Sequence, residues 1–135
     1  MIEVEVLGAP TAPGLAPAEV RGLCELVAKR LGIDAGHVAV HFVEERRITQ
    51  LNGEHRGRAE PTDVLSFPID GTDALAEEST RELGDIVICP ARTVDEREAV
   101  VHGMLHLLGL DHERDDGEML SLQDELLADA RRASG

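Results

Sequence analysis

The sequence predicts a single α+β domain in which helices pack on a small mixed four-stranded sheet. A length of 135 residues is that of one domain, so residues 1–135 are assigned to one unit. Segments with strand periodicity and segments with helical periodicity follow each other in the order β-α-β-α-β-β-α-α. Hydrophobic residues make up 42% of the chain and charged residues 30%, which indicates a globular protein and excludes a disordered or fibrous one.

The first half of the chain is expected to supply two strands and two helices. Ile2–Leu7 alternates apolar and acidic residues, as a half-exposed strand does. Ala18–Leu31 has apolar residues at helical spacing, and Gly32 is expected to end this helix. His37–Val43 is alternating and rich in β-branched residues, which predicts the second strand. Glu44–Asn52 is predicted to form a short helix with its apolar side chains facing inward.

Two more strands are predicted before the last two helices. Val64–Ile69 forms the third, and Pro68 places it at a sheet edge or at a strand end, because proline has no N–H to donate. Asp70–Glu82 is acidic and irregular, so a loop is expected there. Gly84–Cys89 is an apolar fourth strand that Pro90 ends.

The last two elements are amphipathic helices. Thr93 and Glu96 have the spacing of a capping box, in which the hydroxyl and the carboxylate bond the first N–H groups reciprocally. The helix that follows is expected to reach about Leu108, where Gly109 supplies the left-handed stop. Glu118–Arg132 repeats apolar residues at helical spacing and predicts the final helix.

The charge of the chain limits its partners. It has 13 basic and 27 acidic residues and a net charge of −14, which argues against broad attraction to DNA or to an anionic membrane. An RNA substrate would need a local basic patch. No apolar run approaches the ~18 residues that cross a bilayer, and no signal-peptide pattern is present, so the cytoplasm is expected. Cys24 and Cys89 are expected to be free, buried thiols.

Three histidines predict a catalytic metal site. His102 and His106 are four residues apart on a predicted helix, so both imidazoles lie on one face. After the break at Gly109, His112 can turn back to the same point in space. Three imidazoles with an open fourth position are typical of catalytic zinc, here one Zn²⁺ ion per chain. Nickel, cobalt and copper could bind the same ligands. The disfavoured alternative is that the three histidines lie on the surface by chance and bind no metal.

The spacing H-x-x-x-H-x-x-G-x-x-H matches the extended zinc signature of metzincin proteases, so the metal helix is zincin-like. Those enzymes carry a general-base glutamate directly after the first histidine, and this chain has Gly103 there. A protease base is therefore absent. Asp111 is either a group that orients one of the imidazoles or a turn residue after the helix break, and the pattern leaves both open.

Arginines gather in the middle of this acidic chain, and their guanidinium groups suit phosphate. Each arginine has a glutamate nearby in the sequence with which it could pair, so these residues by themselves favour a solvated loop in which the charges cancel. His55 is expected to be a surface histidine, and Thr62 and Asp63 to cap a turn. The arginines are Arg46, Arg47, Arg56 and Arg58, and the glutamates are Glu44, Glu45, Glu54 and Glu60.

The middle and the histidine segment together resemble the YbeY family of bacterial endoribonucleases. The resemblance covers most of residues 37–127 in the family's order, and the histidine segment is its most specific part. It implies that His102, His106 and His112 bind zinc and that Arg56 takes the position of the family's functional arginine. The matching segments are Leu51-Asn52, Arg56-Gly57, Pro61–Pro68, Gly84–Ile88 and His102–His112.

The resemblance implies a zinc-dependent endoribonuclease that cleaves single-stranded RNA, matures the 3′ end of small-subunit (16S) rRNA and takes part in ribosome quality control. Its expected partners are ribosomal RNA, the small ribosomal subunit and the proteins of that subunit. The nucleophile is either a zinc-activated water or the ribose 2′-OH. Two alternatives stay open: a non-catalytic ribosome assembly factor with a structural zinc, and a zincin-like metalloprotease or other hydrolase.

Overall fold

The computed structural model describes residues 2–9, 15–70, 81–111 and 115–134, and its elements follow the predicted order. The strands are β1 (Ile2–Leu7), β2 (Gly36–Phe42), β3 (Val64–Pro68) and β4 (Glu82–Ile88). The helices are α1 (Pro17–Arg30), α2 (Glu45–Arg56), α3 (Glu96–Leu107) and α4 (Glu118–Ser134), and a 3₁₀ turn, Pro90–Arg92, precedes α3. The predicted α+β class with a mixed four-stranded sheet is confirmed.

The sheet has the strand order β1-β2-β4-β3. Strands β1, β2 and β4 are parallel, and β3 is antiparallel to β4. Among the described strands, β3 pairs only with β4, so it lies at the sheet edge, and Pro68 is its last residue, as predicted. Among the described residues, no helix has both the length and the apolar composition needed to span a membrane.

The two faces of the sheet are covered by different helices. Helices α1, α3 and α4 bury the larger apolar cluster against one face, with Val40, Ile86 and Met104 fully buried in it. Helix α2 covers part of the other face, where Ile48 packs on Leu65 and Val87. Because strand residues alternate between faces, even-numbered residues of β3 and of β4 from Asp85 onward face α3 and odd-numbered ones face α2. Leu83 lies before this stretch, next to a register irregularity, and is buried in the larger cluster. Cys24 and Cys89 are both free and buried, as expected.

Most element ends lie within two residues of the predicted ones, and three differences bear on the site. Asp95, not Thr93, caps α3: its carboxylate accepts from the N–H groups of Arg97 at 3.0 Å and Glu98 at 3.2 Å. The hydroxyl of Thr93 instead donates to the Cys89 carbonyl at 2.6 Å, so it is bound to the preceding turn. The predicted capping box is therefore wrong, because an acceptor closer to the helix satisfies its first amides.

The other two differences concern α2 and β4. Helix α2 continues to Arg56, four residues past the predicted end at Asn52, and Gly57 ends it with a φ of 72°. Strand β4 begins at Glu82, so the predicted acidic loop is shorter, and residues 71–80 lie outside the described part. The longer α2 places Arg56 at a helix C-terminus.

Gly103 lets α3 lie directly on the sheet. A Cβ atom at this position would lie 2.6 Å from Cγ2 of Ile86 and 3.4 Å from Cγ2 of Val64, and the first distance is too short for a non-bonded pair of carbon atoms. The same approach allows the hydroxyl of Ser66, in β3, to donate to the Gly103 carbonyl at 2.9 Å. Glycine is therefore required here by packing, which explains why no glutamate can occupy the position.

We expect Gly103→Ala to lower the free energy of unfolding by about 1–3 kcal/mol, the usual cost of overpacking a filled core. The matched control is Gly22→Ala in α1, where an added Cβ meets nothing within 4 Å. That change should raise stability by about 0.5–1 kcal/mol, because alanine is the better helix former. Urea denaturation of both variants measures the difference, and equal midpoints would contradict the role given to Gly103.

Candidate active site

Helix α3 presents two histidines side by side. The rings of His102 and His106 have centroids 4.8 Å apart and planes inclined by 67°, so they lie on one face as predicted. Both side chains are half-buried, while Val101 and Leu105 next to them are fully buried. The apolar faces of the helix thus hold it on the core and leave the two imidazoles together at its surface.

His102 is oriented by a buried glutamine from α4. The Oε1 atom of Gln123 lies 2.7 Å from Nδ1 of His102, and Gln123 is only 4% exposed. An amide oxygen can only accept, so this hydrogen bond places a proton on Nδ1, and a neutral imidazole in that tautomer has its lone pair on Nε2. A neutral imidazole fixed in one tautomer is the state in which histidine binds a metal ion.

The sequence interpretation missed Gln123 and named only Asp111 as a group that could orient an imidazole. A signal was present: Met119, Gln123 and Leu127 are spaced by four residues, so a polar residue interrupts the buried stripe of α4. A polar side chain in such a place needs a buried partner. Asp111 itself lies at the mouth of the same cleft as His102.

His112 lies outside the described residues, which stop at 111 and resume at 115. Within the described ranges, no three histidine, cysteine, aspartate or glutamate side chains are grouped so that they could hold a metal ion. The three-histidine site therefore stays a prediction. Its first two members are adjacent in space.

A cleft of about 850 Å³ joins the histidine helix to the middle of the chain. The edge strand β3 forms one wall, the end of α2 and the following turn form another, and α3 supplies the histidines. The arginine-rich middle segment and the histidine segment, which are far apart in the sequence, therefore meet at one place. The cleft is lined by His55, Arg56, Thr62, Asp63, Val64–Pro68, His102, His106 and Asp111.

The arginines of the middle segment are not neutralised by the described glutamates. Arg56 is exposed at the end of α2 and lines the cleft. It forms no ion pair with any described carboxylate, and neither do Arg46, Arg47 and Arg58. Glu45, one of the expected partners, instead bonds Arg92 at 2.9 Å. The predicted solvated loop with paired charges is thus wrong, because most of the segment is helical and none of the four guanidinium groups pairs with a described carboxylate.

The turn before β3 and His55 complete the cleft. Asp63 Oδ1 accepts from the N–H of Val64 at 2.9 Å and from the hydroxyl of Thr62 at 3.3 Å, which confirms the predicted turn. His55 is exposed, as expected for a surface histidine. Its ring also packs on Phe67 with centroids 4.6 Å apart, and both line the cleft. Only the tertiary contact between α2 and β3 reveals this pair.

On a small α+β scaffold, helix α3 presents two histidines to a cleft that is also lined by Arg56. This arrangement fits the class of hydrolases that act on phosphodiesters. The family model for endoribonuclease YbeY matches residues 16–131. Endoribonuclease YbeY of Symbiobacterium thermophilum is 42% identical over 121 residues, which cover 77% of each chain. Endoribonuclease YbeY of Pseudomonas putida strain F1 is 38% identical over 145 residues, covering 96% of this chain and 89% of its own.

A solved structure agrees with these matches. The solution structure of TM1509 from Thermotoga maritima superposes with a TM-score of 0.60 at 33% sequence identity, covering 94% of this chain and 88% of that one. The chain belongs to the endoribonuclease YbeY family. Both the resemblance and the enzyme class predicted from the sequence, an endoribonuclease, are thereby confirmed.

Proposed function

We propose that this chain is a zinc-dependent endoribonuclease that cleaves single-stranded RNA, matures the 3′ end of 16S rRNA and serves ribosome quality control with the small ribosomal subunit. The observation that carries the proposal is the meeting of His102, His106 and Arg56 in one cleft. Two imidazoles suited to a metal ion and a guanidinium group suited to phosphate are the parts that RNA cleavage needs.

The described residues fit zinc. The Gln123 oxygen accepts from Nδ1 of His102, so the neutral ring would bind the metal through Nε2, and His106 lies beside it. His112 is proposed as the third ligand, which would leave a fourth position open for the reaction. Zinc, when bound, supplies Lewis acidity that can activate water or polarise a phosphoryl oxygen. Nitrogen-only ligands favour zinc over magnesium or calcium, which prefer oxygen.

The protein's own groups position and stabilise the RNA. Arg56 can donate two parallel hydrogen bonds to the non-bridging oxygens of a phosphate and neutralise the charge that develops there. The His55–Phe67 pair offers a ring face to a base that is free to stack, and a base within a duplex is not free. Arg56 and Arg58 line adjoining spaces at the end of α2, so they place positive charge beside the histidines on a chain of net charge −14, and RNA would bind here and be repelled elsewhere.

A non-catalytic assembly factor is the second candidate, and the net charge of −14 is the observation that favours it, because basic ribosomal proteins would bind an acidic surface. The protease alternative has no such support. Gly103 occupies the position of the protease general base, and a side chain there would overlap Ile86.

The decisive experiment is an RNA cleavage assay on zinc-loaded protein. We expect internal cleavage of an end-labelled single-stranded oligoribonucleotide, little cleavage of the same sequence in a duplex, and loss of activity on chelation with recovery on adding zinc. A His106→Ala variant purified in parallel controls for contaminating ribonucleases. Absence of cleavage by protein carrying one zinc per chain, together with co-sedimentation with small subunits, would favour the assembly factor instead.

Gln123 gives a prediction about the metal that does not depend on activity. We expect Gln123→Leu to weaken zinc affinity by about 10–100-fold, the usual effect of removing the group that orients a ligating imidazole. Gln123→Glu keeps an acceptor opposite Nδ1 of His102 and should retain most of the affinity. Competition with a chromophoric chelator measures both. Equal affinity of Gln123→Leu and the unchanged protein would remove Gln123 from the site.

A further inference from the structure

A second groove, of about 300 Å³, lies on the α2 face of the sheet and adjoins the cleft. His55 and Phe67 line both spaces, so the groove continues the cleft around the edge strand β3. Its floor is formed by Val43, which directly follows β2, by Leu51 of α2 and by Val87 of β4. The volume is at the lower end of the ~300–1,000 Å³ found for small-ligand sites.

The far end of the groove is polar. Nε2 of His41, in β2, lies 2.9 Å from Oδ1 of Asp85, in β4, and the two side chains are 30% and 37% exposed. Arg47 also lines the groove, and its only side-chain hydrogen bond to a described residue is the one that it donates to Gln50 Oε1 at 3.2 Å. The groove thus combines an apolar floor, an aromatic wall, a carboxylate at its end and a cation at its mouth.

This combination suits one class of ligand, an unpaired nucleobase attached to a phosphate backbone. Bases bind between apolar and aromatic surfaces, and they are distinguished by the donors and acceptors on their edges. A carboxylate is an acceptor with about four lone-pair positions, and His41 occupies one of those on Asp85. Guanine is the base with two adjacent donors, N1–H and the 2-amino group, and these match the two oxygens of one carboxylate.

We propose that this groove binds a guanine base next to the phosphate held in the cleft, with Asp85 accepting from its Watson–Crick edge and Arg47 bonding the neighbouring phosphate. The proposal rests on the proposed function, since it concerns the RNA that the cleft cleaves. It gives the enzyme a sequence preference that the histidines and Arg56 alone do not provide. His41 holds the Asp85 carboxylate in place and is a positioning residue.

The test measures binding, so that it stands apart from cleavage. The probes are fluorescent 2′-O-methyl oligoribonucleotides, which resist cleavage, with one guanosine among uridines or with uridine throughout. We expect zinc-loaded protein to bind the guanosine probe about 10-fold more tightly, within the range of one good bidentate base contact, and Asp85→Asn to reduce this ratio to near one. Asparagine keeps the shape but replaces one acceptor oxygen with a donor.

The chain contains a matched control. His37 and Glu82 form the same kind of pair between the same two strands, with Nδ1 and Oε2 2.8 Å apart, but neither lines the groove. Glu82→Gln should therefore leave the guanosine preference unchanged, and thermal melting of both variants checks that each is folded. No preference in the unchanged protein, or a preference that survives Asp85→Asn, would overturn the proposal. A preference that Asp85→Asn abolishes, in a protein that cleaves no RNA, would support the groove and refute the endoribonuclease activity.

Discussion

Replacing both His102 and His106 with alanine is expected to remove the zinc from the purified protein, from about one ion per chain to none, and to abolish RNA cleavage. The two rings are neighbours with centroids 4.8 Å apart, so they would supply two of the three predicted ligands. A single remaining imidazole does not hold a zinc ion against water at ordinary concentrations. Metal analysis by mass spectrometry after gel filtration measures the loss directly.

His37 and His41 provide the matched control, because they are also four residues apart but lie on strand β2. On a strand this spacing separates the two side chains by about 13 Å, so they cannot share an ion. The His37→Ala, His41→Ala double variant should keep its zinc. If the His102, His106 variant kept its zinc while the control lost it, the metal site would lie elsewhere in the protein.

Zinc loss should also be visible in stability. A ligand that binds only the folded state stabilises it by about 2.7 kcal/mol when its free concentration is 100 times its dissociation constant. Chelation should therefore lower the melting temperature of the unchanged protein and leave that of the His102, His106 variant where it is. The same melting shift in both would mean that the chelator acts on something other than this site.

The sequence predicted the strands more accurately than the helix ends. Strand β1 has the predicted bounds, because alternation of apolar and charged residues over Ile2–Leu7 has no competing interpretation. Helix α2 was predicted to end four residues too early, since its last turn is polar and its stability comes from packing of Ile48 on the sheet. The cap of α3 was misplaced because two acceptors, Thr93 and Asp95, compete for adjacent positions.

The candidate site, too, could be predicted from the sequence only in part. The pairing of His102 and His106 follows from helical spacing alone, and Arg56 was found by resemblance. Gln123 and the contact of His55 with Phe67 were missed because each depends on a distant element, α3 for Gln123 and β3 for His55. Periodicity predicts which face of a helix is buried, but it does not predict which side chain of another element contacts that face.

Arg56→Ala is expected to keep the zinc and to lower kcat/KM for single-stranded RNA by about 10²–10³-fold, the range for removing one preorganised donor to developing charge. Arg56 has no described carboxylate partner, so its loss frees no charge elsewhere and should not unfold the protein. Zinc content and the circular dichroism spectrum should match those of the unchanged protein. Initial rates at several RNA concentrations separate the effect on kcat from that on KM.

Two further variants distinguish a directed hydrogen bond from mere positive charge. Arg46→Ala removes the same charge from the same helix, but Arg46 lines none of the spaces around the cleft, so only a small change in KM is expected. Arg56→Lys keeps the charge and loses the planar pair of donors, so its kcat should fall between those of the unchanged protein and Arg56→Ala. If Arg56→Lys were fully active, Arg56 would act as a counter-charge for RNA. If Arg56→Ala were fully active, the cleft would bind its phosphate without Arg56, and the zinc site alone would have to stabilise the transition state.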